Sequence, residues 1–388
     1  MIIKSLFFIS LFFIFYTYVG YFIYLYILTK LFPKPVNRKS FDPLPFVSVI
    51  IAAKNEALNI EKRINNLLQQ NYPSDRIEII VVSDGSDDNT QFTVQQLADR
   101  QGAGQACIVC HEYLPSQGKP SALNIGVQQA FGEIVVFADA RQKFEKNVVA
   151  ELVSNFSDPT VGGVSGELVF LEEGESSIKA QMGAYWKYEK QIRKMESDTG
   201  SVVGATGAIY AIRKELYQFL PPATLLDDVM TPMNIVLQGY RIIFDSQAIA
   251  YDSVSENVSQ EWNRKVRTLA GNWQILSLKP SLLNPLKNKH WFRFFSHKFA
   301  RILVPFFLAI LFVTSVSQRG NLLYNVVFWG QVVLYLSAVI VYCFPRLQRN
   351  PVLKFIYFFC VLNAACLAGF WSWASGQANK TWQKPFKE

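Results

Sequence analysis

The chain has 388 residues, half of them hydrophobic, with five cysteines and a net charge of +8. That length is too great for one small core and points to a soluble domain of roughly 150–250 residues joined to something else. The apolar excess collects at the two ends and the positive charge in one internal stretch, so neither describes the whole surface.

Residues 5–29, SLFFISLFFIFYTYVGYFIYLYILT, carry no charge, and that length spans the hydrocarbon core of a bilayer. A cleaved signal peptide has a shorter apolar core and a small-residue cleavage site. Neither is present, so the segment reads as a retained anchor. With the basic flank Lys30, Lys34, Arg38 and Lys39 it forms a first unit, 1–39.

From residue 46 the pattern becomes that of a water-soluble domain. FVSVIIAA (46–53), IEIIVVS (77–83), ACIVCH (106–111) and EIVVFA (133–138) are apolar runs with the length and β-branching of buried strands. Between them ALNIEKRINNLLQQ (57–70), TQFTVQQLADRQ (90–101) and PSALNIGVQQAF (120–131) have helical periodicity. Such alternation predicts an α/β fold with a mostly parallel sheet covered by helices on both faces. The run CIVCH matches a haem-attachment spacing. It lies in a strand, where residues three apart point to opposite faces, and no second cysteine pair completes a zinc site.

In sheets of this kind ligands bind outside the carboxyl ends of the strands. Strand one ends in AAKNE, with Ala53, Asn55 and Glu56. Strand two ends in SDGSDDNT, where Asp84 is the first residue off the strand and Asp87, Asp88 and Asn89 read as helix caps. Strand four ends at Asp139, within FADARQ. A carboxylate there suits a metal or phosphate, and Arg141 stands where a metal site would want a second carboxylate. If the chain stays extended, Arg141 shares the face of Asp139 and pairs with it or with a phosphate. If the chain turns at Ala140, Arg141 leaves the site. Lys119 opens a helix after Gly118, a placement that favours an anion such as a diphosphate.

The second half is less regular. VGGVSGELVF (161–170) reads as a strand, SIKAQMGAYWKYEKQIRKMES (177–197) as an amphipathic helix, and TGAIYAIRKELY (206–217) as a turn, a strand and the start of a helix. In LLDDVMTPMNIVLQGYRIIF (225–244), Asp227 and Asp228 precede an apolar-periodic helix ending at Gly239. Two readings of the pair stay open: a helix cap or a general base facing a cleft.

From Asn263 to Leu303 there is no acidic residue, and aromatic side chains alternate with nine basic ones. A basic aromatic segment, 276–301, beside apolar spans suits an anionic membrane surface and argues against nucleic acid as the partner. Three further apolar stretches follow, 302–317, 322–344 and 355–376, giving a region 302–376 and a basic tail, 377–388. The first is short and holds Pro305. Basic residues flanking the first span, and Arg346, Arg349 and Lys354 in the loop 345–354, place the soluble domain on the cytoplasmic side of a cell membrane by the positive-inside rule. Four crossings would put the C-terminus outside, against Lys380, Lys384 and Lys387 in the tail. A re-entrant 302–317 would remove that conflict.

The set VIIAAKNE, VSDGSDDNT, GKPSALNIG, FADARQ, TGAIYAIRK, LDDVMTPMNIVLQGYR and RKVRTLAGN, in this order, resembles the membrane-bound family 2 glycosyltransferases with a GT-A fold. The resemblance covers about 46–275 and implies a catalytic domain there. It implies an inverting transfer from a nucleotide diphosphate-sugar, a UDP-sugar in the usual case, to a lipid, lipid-linked or glycan acceptor. Asp84 would contact the base, Asp139 the metal-bound diphosphate, and Asp228, beside Asp227, would deprotonate the acceptor hydroxyl. The implied cofactor is Mg²⁺ or Mn²⁺. The polymer-forming members carry Q-x-x-R-W; here RKVRT keeps only Arg267, with Arg264 for the glutamine and Thr268 for the tryptophan. Arg267 would hold the diphosphate, and Arg264 either the diphosphate or a lipid phosphate. A processive polysaccharide synthase and a non-catalytic nucleotide-sugar-binding membrane subunit are the alternatives, and the oligomeric state is left undefined.

Overall fold

The N-terminal apolar run is one continuous helix. α1 (Ile2–Phe15) and α2 (Tyr21–Leu31) join through a wide turn at Tyr16–Gly20. In the computed structural model, which describes residues 1–39, 41–102, 104–171, 177–253, 258–318 and 320–379, the chain then enters the sheet. β1 (Val47–Ala53), α3 (Ala57–Leu68), β2 (Ile77–Asp84), α4 (Thr90–Asp99), β3 (Cys107–Tyr113), α5 (Lys119–Gln129) and β4 (Ile134–Ala138) follow the predicted alternation. A two-residue β5 (Lys143–Phe144) and α6 (Val148–Ser154) precede β6 (Val161–Leu171), α7 (Ser177–Thr199) and β7 (Ile209–Arg213). The helix expected after β7 is only a short 3₁₀ turn, Lys214–Leu216. α8 (Asp227–Leu237) ends before Gly239, whose φ of 95° reverses the chain into β8 (Arg241–Ser253). The remainder is helical: α9 (Val258–Leu278), α10 (Trp291–Phe294), α11 (Ala300–Ser317), α12 (Leu322–Cys343) and α13 (Pro351–Ala374).

The strand order is β3-β2-β1-β4-β7-β6-β8-β5. β1 to β4 are parallel, β7 runs against both β4 and β6, and β6 is parallel to β8. Two reversals restore direction, so β1, β2, β4, β6 and β8 all end on one edge. That edge collects the polar clusters. The alternation of β1 explains the two-sided core: Val49 and Ile51 pack with Ile60, Ile64 and Leu152 on one face, Ile50 and Ala52 with Leu123, Met230 and Met233 on the other. α5 lies flush on the sheet because Gly126 has no side chain; a Cβ there would stand 2.5 Å from Cγ2 of Ile50.

Among the described residues four helices are long and apolar enough to cross a membrane: Ile2–Leu31, Trp291–Ser317, Leu322–Cys343 and Pro351–Ala374. The 302–317 stretch, short by itself, is thus the continuation of a 27-residue helix that starts at Trp291. It packs on the N-terminal helix through Phe13 and Phe307, whose ring centroids are 4.0 Å apart. α13 packs on α9, where Trp273 sits among Phe299, Phe306, Phe370 and Trp373. The tail lysines Lys380, Lys384 and Lys387 lie outside the described residues.

The basic segment divides. Lys287 and Lys289 are exposed beside the exposed Leu286, as a lipid-facing strip requires. Arg293 is buried instead, and donates to the carbonyls of Glu196, Thr199 and Ser201 and to the Thr199 hydroxyl. It ends α7 as a cationic cap on carbonyls that have no helical partner. Replacing it leaves those carbonyls buried and unsatisfied. Arg293→Met is therefore expected to destabilise the fold by about 3 kcal/mol, whereas Lys287→Met stays within about 0.5 kcal/mol; thermal unfolding of both variants in detergent checks the contrast.

Candidate active site

The loops after β1 and β2 are tied together. The Asn55 side-chain oxygen accepts from Asp87 N–H at 2.9 Å, Asn55 N–H donates to the Ser86 hydroxyl at 3.1 Å, and Glu56 N–H donates to the Thr90 hydroxyl at 2.8 Å. Asp88 accepts from the N–H groups of Ala57 and Thr90, so it caps the start of α3 as well as α4. Asn55 has a φ of 54°, a conformation that asparagine tolerates better than most side chains. Ala53, at the end of β1, is buried beneath this knot.

Asp84 is fully buried. Its carboxylate accepts from the N–H groups of Gln117 and Gly118, at 2.7 and 3.0 Å, and from the Ser116 hydroxyl at 2.7 Å. Its work in this arrangement is to fix the loop 116–118 that leads into α5. The sequence signal that missed this role is the same one that found the residue: a carboxylate at a strand end satisfies a neighbouring loop as readily as a ligand.

Lys119, the first residue of α5, reaches across to two carboxylates. Its ammonium is 2.9 Å from Oδ1 of Asp139 and 3.6 Å from Oδ2 of Asp227. Burial opposes the lysine charge, but Asp139 and Asp227 outweigh it and hold the pKa above the ordinary range. Lys119, Asp139, Asp227 and Asp228 are thereby brought together at the strand-end edge.

Asp227 and Asp228 are the first two residues of α8, and neither is its cap; Leu226 holds that position, without a side-chain bond. The helix-cap reading of the pair is therefore corrected. Beyond the ion pair with Lys119, Oδ2 of Asp227 is buried without a hydrogen bond. The Asp228 carboxyl has its pKa pushed up to about 6, first by burial and then by the adjacent Asp227 charge, with Lys298 and Lys119 pulling the other way. Oδ2 of Asp228 lies over Gly207, where a Cβ would stand 3.1 Å from it. A carboxyl titrating near neutrality at a sheet edge has the properties of a general base.

Arg141 does not pair with Asp139. Its guanidinium lies 3.7 Å from Asp252 at the end of β8, and Gln142 donates to the same carboxylate at 2.8 Å. Of the alternatives open in the sequence, the chain turns away from Asp139, yet Arg141 remains on the same edge, farther along the sheet. On α9, Arg264 forms a two-pronged bond with Glu261, and Lys265 both pairs with Glu261 and lies over the Phe358 ring of α13. Arg264, Arg267 and Thr268 are exposed.

Mg²⁺ and Mn²⁺ take oxygen ligands, and Mg²⁺ is commonly held by one or two carboxylates with substrate phosphates completing the shell. The Asp139 side chain, 35% exposed, fits the part of one such anchor. Among the described residues there is no group of three or more metal-ligating side chains that would hold the ion without the substrate. Sequence reasoning did not single out Arg193, Thr206 or Lys298. Arg193 donates to the Thr206 hydroxyl at 2.8 Å and the Ser165 hydroxyl at 2.6 Å, steadying the turn that faces Asp228.

Known proteins resemble this chain in sequence and in fold. Residues 48–220 match the sequence model of Glycosyl transferase family 2. The chain is 25% identical over 248 residues to a poly-beta-1,6-N-acetyl-D-glucosamine synthase of Staphylococcus aureus (strain COL), covering 62% of this chain and 58% of that protein. It is 26% identical over 258 residues to a probable glycosyltransferase, YdaM, of Bacillus subtilis (strain 168), covering 62% and 59%. The chain thus spans less than two thirds of the curated relatives it matches. Among solved structures, a mannosyltransferase from Pyrobaculum calidifontis, in complex with GDP-Man and Mn²⁺, superposes with a TM-score of 0.71 at 20% identity over 96% of this chain and 99% of that one. The fold is of the GT-A type, with a mixed Rossmann-like sheet.

The bonds to Asp84 give a direct test. Asp84→Asn turns one acceptor oxygen into a donor facing N–H groups, with an expected cost of about 2 kcal/mol. Amide hydrogen exchange at Gln117 and Gly118 is expected to quicken, while exchange in β1 and β4 stays slow.

Proposed function

We propose that this chain, whose residues 48–220 match the sequence model of Glycosyl transferase family 2, transfers one sugar from a nucleotide diphosphate-sugar to a hydroxyl of a lipid, lipid-linked or glycan acceptor at a membrane. The donor is a UDP-sugar in this reading, the reaction inverts the anomeric centre, and the catalytic part lies within 46–275, on the cytoplasmic side. The observation that carries it is the Lys119 bridge between Asp139 and Asp227, with a near-neutral Asp228 beside it.

Each residue then has a step. Lys119 and Asp139 face the donor diphosphate. Asp228 takes the proton from the acceptor hydroxyl. The acceptor oxygen bonds to the anomeric carbon as the bond from that carbon to the diphosphate oxygen breaks, and the nucleoside diphosphate leaves with the electron pair. Asp139 would hold a divalent cation, and the chemistry it would supply is charge neutralisation of that leaving group. Ala53, Asn55, Glu56 and Asp84 form the wall of the nucleotide subsite, and Arg267 faces the phosphate side.

A processive synthase is the second reading, favoured by the name of the Staphylococcus aureus relative. The exposed Thr268 offers no ring face for a growing chain. Product length by mass spectrometry separates the two, single additions supporting the first reading.

Asp228→Asn is expected to bind donor with near-normal affinity by calorimetry and to lose at least about 100-fold in nucleoside diphosphate release. In the unaltered protein only the ionised carboxylate is a base, so the rate is expected to fall as pH drops through about 6 and to level off above about 7. Normal turnover by the variant overturns the base assignment. Removing divalent cations with a chelator is expected to abolish release, and re-addition of Mn²⁺ or Mg²⁺ to restore it; activity that persists in the chelator removes the metal from the scheme.

A further inference from the structure

The helix that becomes the second apolar span carries Arg293, His297, Lys298 and Arg301 close together. Three of them are engaged by α7 or the segment just after it. Arg293 donates to carbonyls near the end of α7. His297 lies between Glu189 and Glu196, its ring nitrogens 2.6 and 3.0 Å from their oxygens. Arg301 donates to Glu189 at 2.6 Å. Among the described residues Lys298 stands apart, its ammonium having no hydrogen bond and no carboxylate within 4.0 Å.

The side chain of Lys298 runs over Gly204. A Cβ on residue 204 would stand 3.7 Å from Cε of Lys298 and 3.7 Å from the Asp228 carbonyl oxygen. The N–H of Ala205 donates to that same carbonyl at 2.7 Å, which pins the turn 204–207 to the start of α8. At the other end of the turn, Gly207 makes room for the Asp228 carboxylate. Lys298 and Asp228 therefore both border one short turn, and among the described residues no ion pair joins them.

We infer that Lys298 is a positioning residue for the base: an ammonium, delivered by the membrane-entering helix, whose field keeps the Asp228 carboxylate ionised without occupying its lone pairs. The inference rests on the reading of Asp228 as the base. A direct salt bridge would cap the oxygen that must receive the proton, whereas a cation beyond contact favours the charged form and leaves the oxygen free. The other groups facing Asp228 do not replace it. Asp227 on the same helix and Asp139 after β4 oppose its charge, and Lys119 is already bonded to both of these. Arg193 from α7, held on the Thr206 and Ser165 hydroxyls, adds a second cation that acts beside Lys298, and Tyr210 from β7 is neutral. Glu189 also faces Lys298 but is shared by His297 and Arg301. Base strength in this design depends on the span helix being seated against α7.

The test uses the full chain in lipid nanodiscs, with nucleoside diphosphate release followed from pH 5.5 to 8.5. Lys298→Met is expected to move the acid limb of kcat upward by about one pH unit, so the ratio of rates at pH 6.5 and 8.5 falls about threefold; Lys298→Arg is expected to return it. An unmoved limb overturns the inference, and so does a raised acceptor KM with the limb in place, which would make Lys298 an acceptor contact. A second readout does not need turnover. The ¹³C carboxyl signal of Asp228, identified by its loss in Asp228→Asn, is expected to titrate about one unit higher in Lys298→Met. If the unaltered protein releases no nucleoside diphosphate with any acceptor, the transferase reading fails, and an unshifted carboxyl signal still overturns the role of Lys298 by itself.

Discussion

The site depends on one ammonium between two carboxylates. Asp139 ends β4, Asp227 opens α8, and they approach the same point from elements far apart in sequence. Without Lys119 two negative charges would face each other at a partly dry edge, where repulsion is strong. With it, the edge holds a fixed cation whose partners are carboxylates in this structure and whose charge equally suits a diphosphate. The geometry that gathers the charges is set by strand direction. β7 runs against both neighbours and so ends beside the start of β4, and the segment 214–226 carries the chain back, so that α8 begins at the strand-end edge and β8 then runs parallel to β6.

A second constraint ties the sheet to the apolar helices. Glu196 accepts from the Tyr21 hydroxyl of the N-terminal helix at 2.6 Å and also faces His297 of the next span. The basic flank behind the first helix is engaged too: Arg38 pairs with Asp245 at 2.7 Å, and Arg241 donates to the Lys34 carbonyl at the same distance. Polar contacts of this kind, the Arg38–Asp245 ion pair included, are weak evidence for net stability. They are costly to separate, which fixes how the catalytic sheet sits on its helices.

Much of the first half was legible because its signals are local. β1 and β2 are continuous apolar runs of β-branched residues, and their polar ends mark the ligand edge by rule. The roles of individual carboxylates were less legible. Asp84 and Asp228 look alike in sequence, each the polar break beside an apolar run. What separates them is which donors the fold brings near: the N–H groups of Gln117 and Gly118 and the Ser116 hydroxyl hold Asp84, whereas Asp228 meets Asp227 and a glycine turn. β8 was missed because RIIFDSQAIAYDS interrupts its apolar residues with Asp245 and Asp252. Those two charges are answered by Arg38, Asn155, Gln142 and Arg141, which lie far away in the chain.

Arg141 shows how such distant partners change a motif's meaning. Read alone, D-A-R is a two-carboxylate motif with its second member replaced by a cation. In the fold, the cation is drawn to Asp252 on a neighbouring strand end, so it neither neutralises Asp139 nor stands in for a metal. Asp139 keeps one oxygen on Lys119 and remains partly exposed. A divalent ion at this edge would therefore take a single protein carboxylate and depend on the donor for its remaining ligands. Metal and donor binding would then be coupled: the ion's affinity rises when the diphosphate is present, and by reciprocity the diphosphate's rises with the ion.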